Sequence, residues 1–414
     1  MKIQSLRGMP DLFPEDLEKW QLLESILFKV FQVFNAKEIR TPLLESTELF
    51  SRSVGNSSDI VNKELYSFLD RNDESISLRP EGSAGVIRAV IQKKQEHESQ
   101  KLWYQGSMFR YERPQKGRFR QFHQVGVEYL GYQEGSSEYE LISMVLLINK
   151  LLEIKNFTIK INHLGDAEVK ENFCKALVSY LTPRIKDLHE KDVARLRANP
   201  LRVLDSKEKS TQLLLEGAPK FDDYISNKSK TFLKELAKSY ENNCDILIDT
   251  TLVRGLDYYT GLVFEVTSPE LGAQDAFLGG GRYDNLSTQL GGKEMSAIGF
   301  AIGLERIIDI MMVKSINLKT KVALIYTVEQ FDQKTYKIAD DLRAANDEVI
   351  LDTFLLNNSL KSQLRRANKN NCNFAIIIGN REIDSNKVLW KDLGEQGEQQ
   401  LLDIDSLLDI YKNL

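Results

Sequence analysis

A chain of 414 residues is too long for one ordinary hydrophobic core and predicts two or three domains. Its composition, 42% hydrophobic and 28% charged with few prolines, is that of a soluble globular protein. The formal net charge of −5 does not announce a nucleic-acid ligand, so any such partner must be met by local basic patches.

The first predicted element is an amphipathic helix over 14–34, with Leu17, Trp20, Leu27, Val30, Phe31 and Phe34 on one stripe. "EIRTPLLE" reads as an extended segment in which Pro42 suggests an edge or interface strand. A hairpin should turn at Arg71–Asn72–Asp73, and a helix should occupy 83–95, with the Ser83 hydroxyl as its cap. Strands over 102–112 and 121–131 then flank a loop with five Lys/Arg between Arg110 and Arg120. By parity, Tyr104, Gly106, Met108, Arg110 and Glu112 share one face with Phe122, Gln124, Gly126, Glu128 and Leu130. The two strand glycines on that face mark a place where something flat can lie on the sheet. A helix over 138–153 and a strand over 158–163 follow.

Between about 165 and 240 Lys-rich and Leu-rich helical stretches replace strands, with 16 Lys/Arg against 12 Asp/Glu over 160–240. This reads as an inserted helical domain. Strands return in "DILIDTTLVRGL" and "GLVFEVTS", followed by a Gly-rich turn in "FLGGGRYDNL", which is not a phosphate loop. "SAIGFAIGLERIIDIMM" is a small-residue strand running into a helix. It is also the longest apolar stretch, and Glu305 and Arg306 interrupt it short of the ~18 residues of a membrane span. Arg306 falls in the first helical turn, where the macrodipole disfavours a cation. Glu305 could neutralise it, and an anionic ligand such as a triphosphate would hold it better. Residues 321–414 then alternate strand and helix as a compact α/β domain.

Several chemistries are disfavoured. The three cysteines form no C-x-x-C pair, which argues for a reducing, cytoplasmic setting. The N-terminus has no apolar signal core, and none of the four histidines stands in a ligand spacing, so no protein metal site is expected.

Taken in order, these stretches resemble the class II aminoacyl-tRNA synthetases, and specifically the histidyl-tRNA synthetase family, nearly end to end. "FNAKEIRTPLLESTELF" is similar to motif 1, "MFRYERPQKGRFRQFHQVGVE" to motif 2 and "AIGFAIGLERI" to motif 3. "LVRGLDYYTGLVFE" and "GGGRYDNL" resemble the two histidine-specific segments. The resemblance implies an α+β fold. A six-stranded antiparallel catalytic sheet flanked by helices would be split over 1–164 and 243–313 around a helical insertion at 165–242. A linker at 314–320 would lead to an α/β anticodon-binding domain at 321–414, and motif 1 would build a homodimer.

The implied activity is ATP-dependent formation of histidyl-adenylate and transfer of the histidyl group to tRNA(His), with Mg²⁺ accompanying ATP. Carried over position by position, Arg110 and Arg306 would hold ATP phosphates, with Arg118 near the distal ones and Glu112 and Phe122 at the adenine. Glu81, Ser83 and Gln124 would take the histidine ammonium; Ser83 stands where the family commonly has threonine. Glu128 and Tyr259 would meet the imidazole, with Tyr258 and Tyr283 closing the pocket. Arg254 would bridge the substrate carboxylate and the α-phosphate. Arg113, Gln115 and Arg120 of the basic loop are expected at the tRNA acceptor end. Lys361, Arg365 and Lys369, at i, i+4 and i+8 of one helix face, are expected at the anticodon stem. The rival is a catalytically silent relative, a histidine-sensing regulatory subunit of ATP phosphoribosyltransferase. It lacks, as that family pattern goes, the anticodon-binding domain and has eroded arginine segments, whereas Arg110, Arg254, Arg306 and residues 321–414 are all present here.

Overall fold

The computed structural model describes residues 3–55, 58, 60–115, 117–272, 275–313, 320–327, 333–346, 348–354, 359–394 and 397–414. The expected linker lies almost wholly outside them. The chain divides into two compact units, Met1–Lys314 and Ser315–Leu414.

The larger unit is built on an eight-stranded sheet. Six strands in its middle are antiparallel, in the order Gln100–Phe109, Gln121–Leu130, Ala297–Gly303, Ala276–Arg282, Thr260–Thr267 and Thr158–His163. Lys37–Glu38 and Asp245–Ile248 extend the two edges in parallel, so the sheet is mixed. Strand Gln100–Phe109 stops before Arg110 and Glu112, which belong to the basic loop and not to the ladder. The glycine triplet is not a turn: Gly279, Gly280 and Gly281 sit inside strand Ala276–Arg282.

One face of the sheet is covered by helices Pro14–Val33 and Ser136–Leu151, whose Trp20, Leu27, Val30, Leu141 and Val145 pack with Val125, Val127 and Phe300. Pro14 opens the first helix, where its missing N–H costs nothing, and the Asp16 carboxylate accepts from the Phe13 N–H at 3.2 Å. This leaves the opposite face of the sheet for other work. Helices Ser83–Gln92, Ala167–Leu181 and Glu190–Ala198 gather there around Tyr104, Phe173 and Tyr283. A small sheet of Leu44–Ser46, Ser75–Leu78 and Ser67–Leu69 stands apart and leaves Leu43, Leu44, Phe68 and Leu69 exposed. No helix among the described residues is long and apolar enough to cross a membrane.

The smaller unit is a five-stranded sheet. Ile350–Phe354, Lys321–Tyr326 and Phe374–Ile378 run parallel, and Lys387–Asp392 and Gln399–Asp403 complete it antiparallel. Helix Leu360–Lys369 buries Gln363 and Ala367 and leaves Lys361, Arg365 and Lys369 exposed.

A buried ion pair ties strand Ala276–Arg282 to the covering helix Ser136–Leu151. Arg282, 2% exposed, donates from Nε to the fully buried Glu138 at 2.7 Å, and also to Ser137 Oγ, the Tyr132 carbonyl and Asp284. The second Glu138 oxygen accepts from the Gly135 N–H at 2.7 Å, at the start of helix Ser136–Leu151. Arg282→Met would leave that carboxylate buried without its counter-charge, at a cost of about 3–5 kcal/mol. Chemical denaturation should show the loss, and adding Glu138→Gln should recover part of it.

Candidate active site

The free face of the sheet is hollowed into a cavity of about 720 Å³. Every residue expected at ATP or histidine lines it except Glu128, which lies behind Ser83, and Tyr283, which packs edge-on against Tyr258 with ring centroids 5.5 Å apart. Cross-strand register places Tyr104 opposite Gly126, Gly106 opposite Gln124 and Met108 opposite Phe122, as parity requires.

Close packing explains the glycines of the floor. A Cβ at Gly126 or Gly82 would strike the Tyr104 ring, and one at Gly106 would strike the Arg79 guanidinium. The flat groups on the sheet are therefore the protein's own. Arg79 is held by the Ser107 and Thr41 carbonyls and stays out of the pocket. Gly279 leaves room for Arg254 to lie across its strand, and Gly299 leaves room for the Glu128 carboxylate.

At one end of the cavity two carboxyl groups are buried among tyrosines. Glu128, 1% exposed, accepts from Ser83 Oγ at 2.5 Å and from the Tyr283 hydroxyl, and burial pushes its carboxyl up to about 8. Glu81 accepts from the Ser83 and Ala84 N–H groups at 2.7 and 2.9 Å and from the Tyr258 hydroxyl at 3.5 Å, and burial raises its pKa as well. Glu81 therefore caps helix Ser83–Gln92. Ser83 is not the cap: it stands inside the first turn, and its hydroxyl is spent on Glu128. Tyr259 packs against Tyr258 at 4.8 Å between ring centroids. Beside this group, Gln124 Oε1 is buried with no hydrogen-bond partner. Two carboxyl groups and an unpartnered carbonyl oxygen in so dry a space suit a ligand rich in N–H donors.

At the other end the charge is positive. Arg110 donates from Nε to the Pro80 carbonyl at 2.9 Å and lies 5.2 Å from the Phe122 ring centre. Arg118 pairs with Glu112 at 2.6 Å across the basic loop. Arg306 donates to the carbonyls of Gly117, at 3.2 Å, and Ala276. Burial lowers its pKa, and the nearby Arg118 and Arg110 lower it further, while Glu112 and Glu265 oppose them. Glu305 does not serve as the neighbour that neutralises Arg306 in sequence-based reasoning. It accepts from the backbone N–H of His123 at 2.9 Å and lies 3.0 Å from the His123 ring. Cations crowded into one cavity until one is destabilised form a site that an anion completes.

Arg254 stands between the two ends, paired with Glu265. Burial opposes its charge, but Glu265, Tyr259 and Asp205 together hold it above its ordinary value. Its Nε is buried without a partner.

Of the residues expected at tRNA, Arg113 and Gln115 are exposed. Arg120 is committed to the fold: its guanidinium stacks 3.9 Å from the Tyr111 ring centre and donates to the Glu112 carbonyl at 3.2 Å. Sequence reasoning missed Tyr104 as a site residue, although parity placed it on the right face. It also missed Glu265, the one charged residue in an otherwise apolar strand and so a detectable signal.

A six-stranded antiparallel platform carrying arginines from a hairpin and from a strand–helix junction defines the class, a class II aminoacyl-tRNA synthetase. The family model described as histidyl-tRNA synthetase matches residues 8–307, and the one described as anticodon binding domain matches 321–414. A histidine–tRNA ligase of Ruthia magnifica is 42% identical over 417 residues, covering 99% of each chain. One from Francisella philomiragia is 39% identical over 420 residues, covering 100% of this chain and 99% of that one. Among solved structures, apo histidyl-tRNA synthetase of S. aureus superposes with a TM-score of 0.81 at 31% identity, over 99% of this chain and 100% of that one. The chain belongs to the histidyl-tRNA synthetase family.

The raised Glu128 pKa has a consequence for stability. Between its ordinary value of 4.5 and about 8, the folded chain keeps a proton on Glu128 that the unfolded chain releases. This contribution is full below the lower value and is lost as pH rises toward the upper one. Glu128→Gln has no such proton to lose. Its stability relative to the parent should therefore rise from about pH 5 to about pH 8, by on the order of a few kcal/mol, measured by equilibrium denaturation.

Proposed function

We propose that this chain uses ATP to activate histidine as histidyl-adenylate and transfers the histidyl group to the 3′ end of tRNA(His). The observation that carries the reading is one cavity with the buried Glu81 at one end, backed by Glu128 through Ser83, and an arginine cluster at the other, bridged by Arg254.

The imidazole binds at Glu128 and Tyr259, and the ammonium at Glu81, Ser83 and the unpartnered Gln124 oxygen, with Tyr258 and Tyr283 closing the space. An imidazole has two ring nitrogens that both want partners, and a ligand offering neither would forgo the bonds that Glu128 and Tyr259 can make to them. Phe122 and Glu112 receive the adenine, and Arg110, Arg118 and Arg306 receive the phosphates. A carboxylate oxygen of histidine then attacks the α-phosphorus in line. The bond to the bridging oxygen breaks, and pyrophosphate leaves with the electron pair. A hydroxyl of the terminal tRNA adenosine next attacks the histidyl carbonyl carbon, and AMP departs.

Such a displacement needs positioning and cationic charge more than a protein nucleophile. Arg254 supplies both, because a planar fork can touch the substrate carboxylate and the α-phosphate together. Mg²⁺ supplies further positive charge to the phosphates when bound. It usually binds through one or two carboxylates plus phosphate oxygens, and Glu112 and Glu265, which stand beside the arginines, would be the carboxylates to hold it. Assembly as a homodimer through the motif 1 region is supported by the exposed Leu43, Leu44, Phe68 and Leu69. A cytoplasmic location is supported by the three free cysteines.

Purified protein should catalyse histidine-dependent exchange between ATP and pyrophosphate, and Arg254→Ala should lower it by about a hundredfold or more while the fold survives. Near-normal exchange in the folded variant would remove Arg254 from the reaction.

A second test concerns residues 321–414, which we assign to the anticodon stem. Residues 319–414 hold 13 Lys/Arg against 15 Asp/Glu, so RNA must be held by a local patch. The exposed Lys361, Arg365 and Lys369 form one. Arg365→Glu with Lys369→Glu should weaken tRNA binding and lower the slope of log affinity against log salt by roughly one per lost phosphate contact. Exchange without tRNA should not change. An unaltered salt slope would mean that the stem is held elsewhere.

A further inference from the structure

Behind the cavity wall, polar side chains converge on the irregular loop between strands Asp245–Ile248 and Thr260–Thr267, which carries Arg254, Tyr258 and Tyr259. Its carbonyls have no strand partner there, so they need donors from elsewhere. Lys170 and Arg202 of the helical insertion provide them, and Asn199 of the same segment holds the Asp257 carboxylate. Lys170, on helix Ala167–Leu181, donates from Nζ to the Asp257 carbonyl at 2.7 Å and to the Tyr259 carbonyl at 3.2 Å. Asn199, ending helix Glu190–Ala198, donates from Nδ2 to Asp257 Oδ1 at 2.7 Å. Arg202, in the short turn Pro200–Val203, donates to the Gly255 carbonyl and lies 4.0 Å from the Asp257 carboxylate.

The loop is also held from the opposite side. The Asp257 N–H donates to the Val54 carbonyl at 3.4 Å. Gly55, at φ +91°, makes room for the Asp257 carboxylate, which a Cβ would strike. Burial favours the neutral form of Lys170, and Asp257 opposes this. The ammonium is thus kept in a poorly solvated place where it serves the loop's carbonyls.

We infer that Lys170, Asn199 and Arg202 are positioning residues for the histidine half of the active site. They fix the one loop conformation that presents Arg254, Tyr258 and Tyr259 together. The inference rests on the reading that this loop holds histidine. The adenine end, at Glu112 and Phe122, hangs on a different hairpin and receives no donor from these three residues. The insertion therefore acts mainly on histidine binding and on the first chemical step, and it should change ATP binding little, because Arg110, Arg118 and Arg306 hold the phosphates without this loop. Loss of a donor lets the loop populate other conformations, and apparent affinity falls by the fraction that remains competent.

Lys170→Met and Arg202→Met separate this role from plain packing. With histidine and ATP titrated separately in the exchange assay, the KM for histidine should rise about tenfold or more and kcat should fall, with the KM for ATP within about twofold. Amide hydrogen exchange of residues 252–260 should quicken in both variants, and saturating histidine should restore the protection. The inference is overturned if folded variants keep the parent's histidine KM, or if both KM values rise together. Should the parent itself show no histidine-dependent exchange, the proposed function fails. Hydrogen exchange still judges the clamp in that case, because unchanged protection of 252–260 would refute it.

Discussion

A carboxyl group with 1% of its surface exposed has to be satisfied by the protein around it, and Glu128 recruits three distant parts of the chain to do so. Ser83 comes from the start of a helix, Tyr283 follows a catalytic strand, and Gly299 on the neighbouring strand gives up its side chain to leave room. Glu81 repeats the device by capping the helix that delivers Ser83. Once these groups are placed, Tyr258 and Tyr259 have a wall to pack against, and Gln124 is left with an oxygen that no protein group meets. The pocket is thus built before its ligand arrives, and the energy stored in its unmet groups is what a ligand of the right hydrogen-bonding pattern releases.

The arginine end follows the same logic with the sign reversed. Arg110 and Arg306 are aimed by backbone carbonyls, whose dipoles orient a guanidinium without cancelling its charge. Full ion pairs are used sparingly, at Glu112 with Arg118 and at Glu265 with Arg254. Glu265 keeps Arg254 charged in a buried place while leaving its Nε free of protein partners. Arg306 is destabilised first by burial and then by its cationic neighbours, and phosphates bound there would offset both. Preorganised charge of this kind needs no rearrangement as charge develops in the transition state.

Much of this was legible in the sequence because period-two alternation fixes which strand residues share a face. Tyr104, Gly126, Gln124 and Phe122 fell where parity put them. Parity failed where the ladder ended, so Arg110 and Glu112 reach the site from a loop. The glycine triplet reads as a turn by composition, yet it is a strand whose missing side chains accommodate Arg254, Phe300 and Leu262. Only the three-dimensional packing reveals that requirement. Ser83 satisfies every local rule for a helix cap, and the tertiary demand of Glu128 overrides them. The loop's hold by Lys170, Asn199 and Arg202 was not legible, since its partners are separated by 53 to 89 positions and no local pattern links them.

Acidity and RNA binding are reconciled by the same separation of local from global. A chain with a net charge of −5 has little long-range attraction for nucleic acid in general, which lowers its occupancy by the wrong RNA. Cations then contribute only where an RNA follows the intended path. The exposed Arg113 beside the cavity, and the row of Lys361, Arg365 and Lys369 in the smaller unit, are short enough that neither holds a generic polyanion tightly alone. Each phosphate contact adds a modest, salt-sensitive increment. On the proposed reading, discrimination among tRNAs therefore needs no large basic surface. It needs small ones, each too weak to hold the wrong RNA by itself.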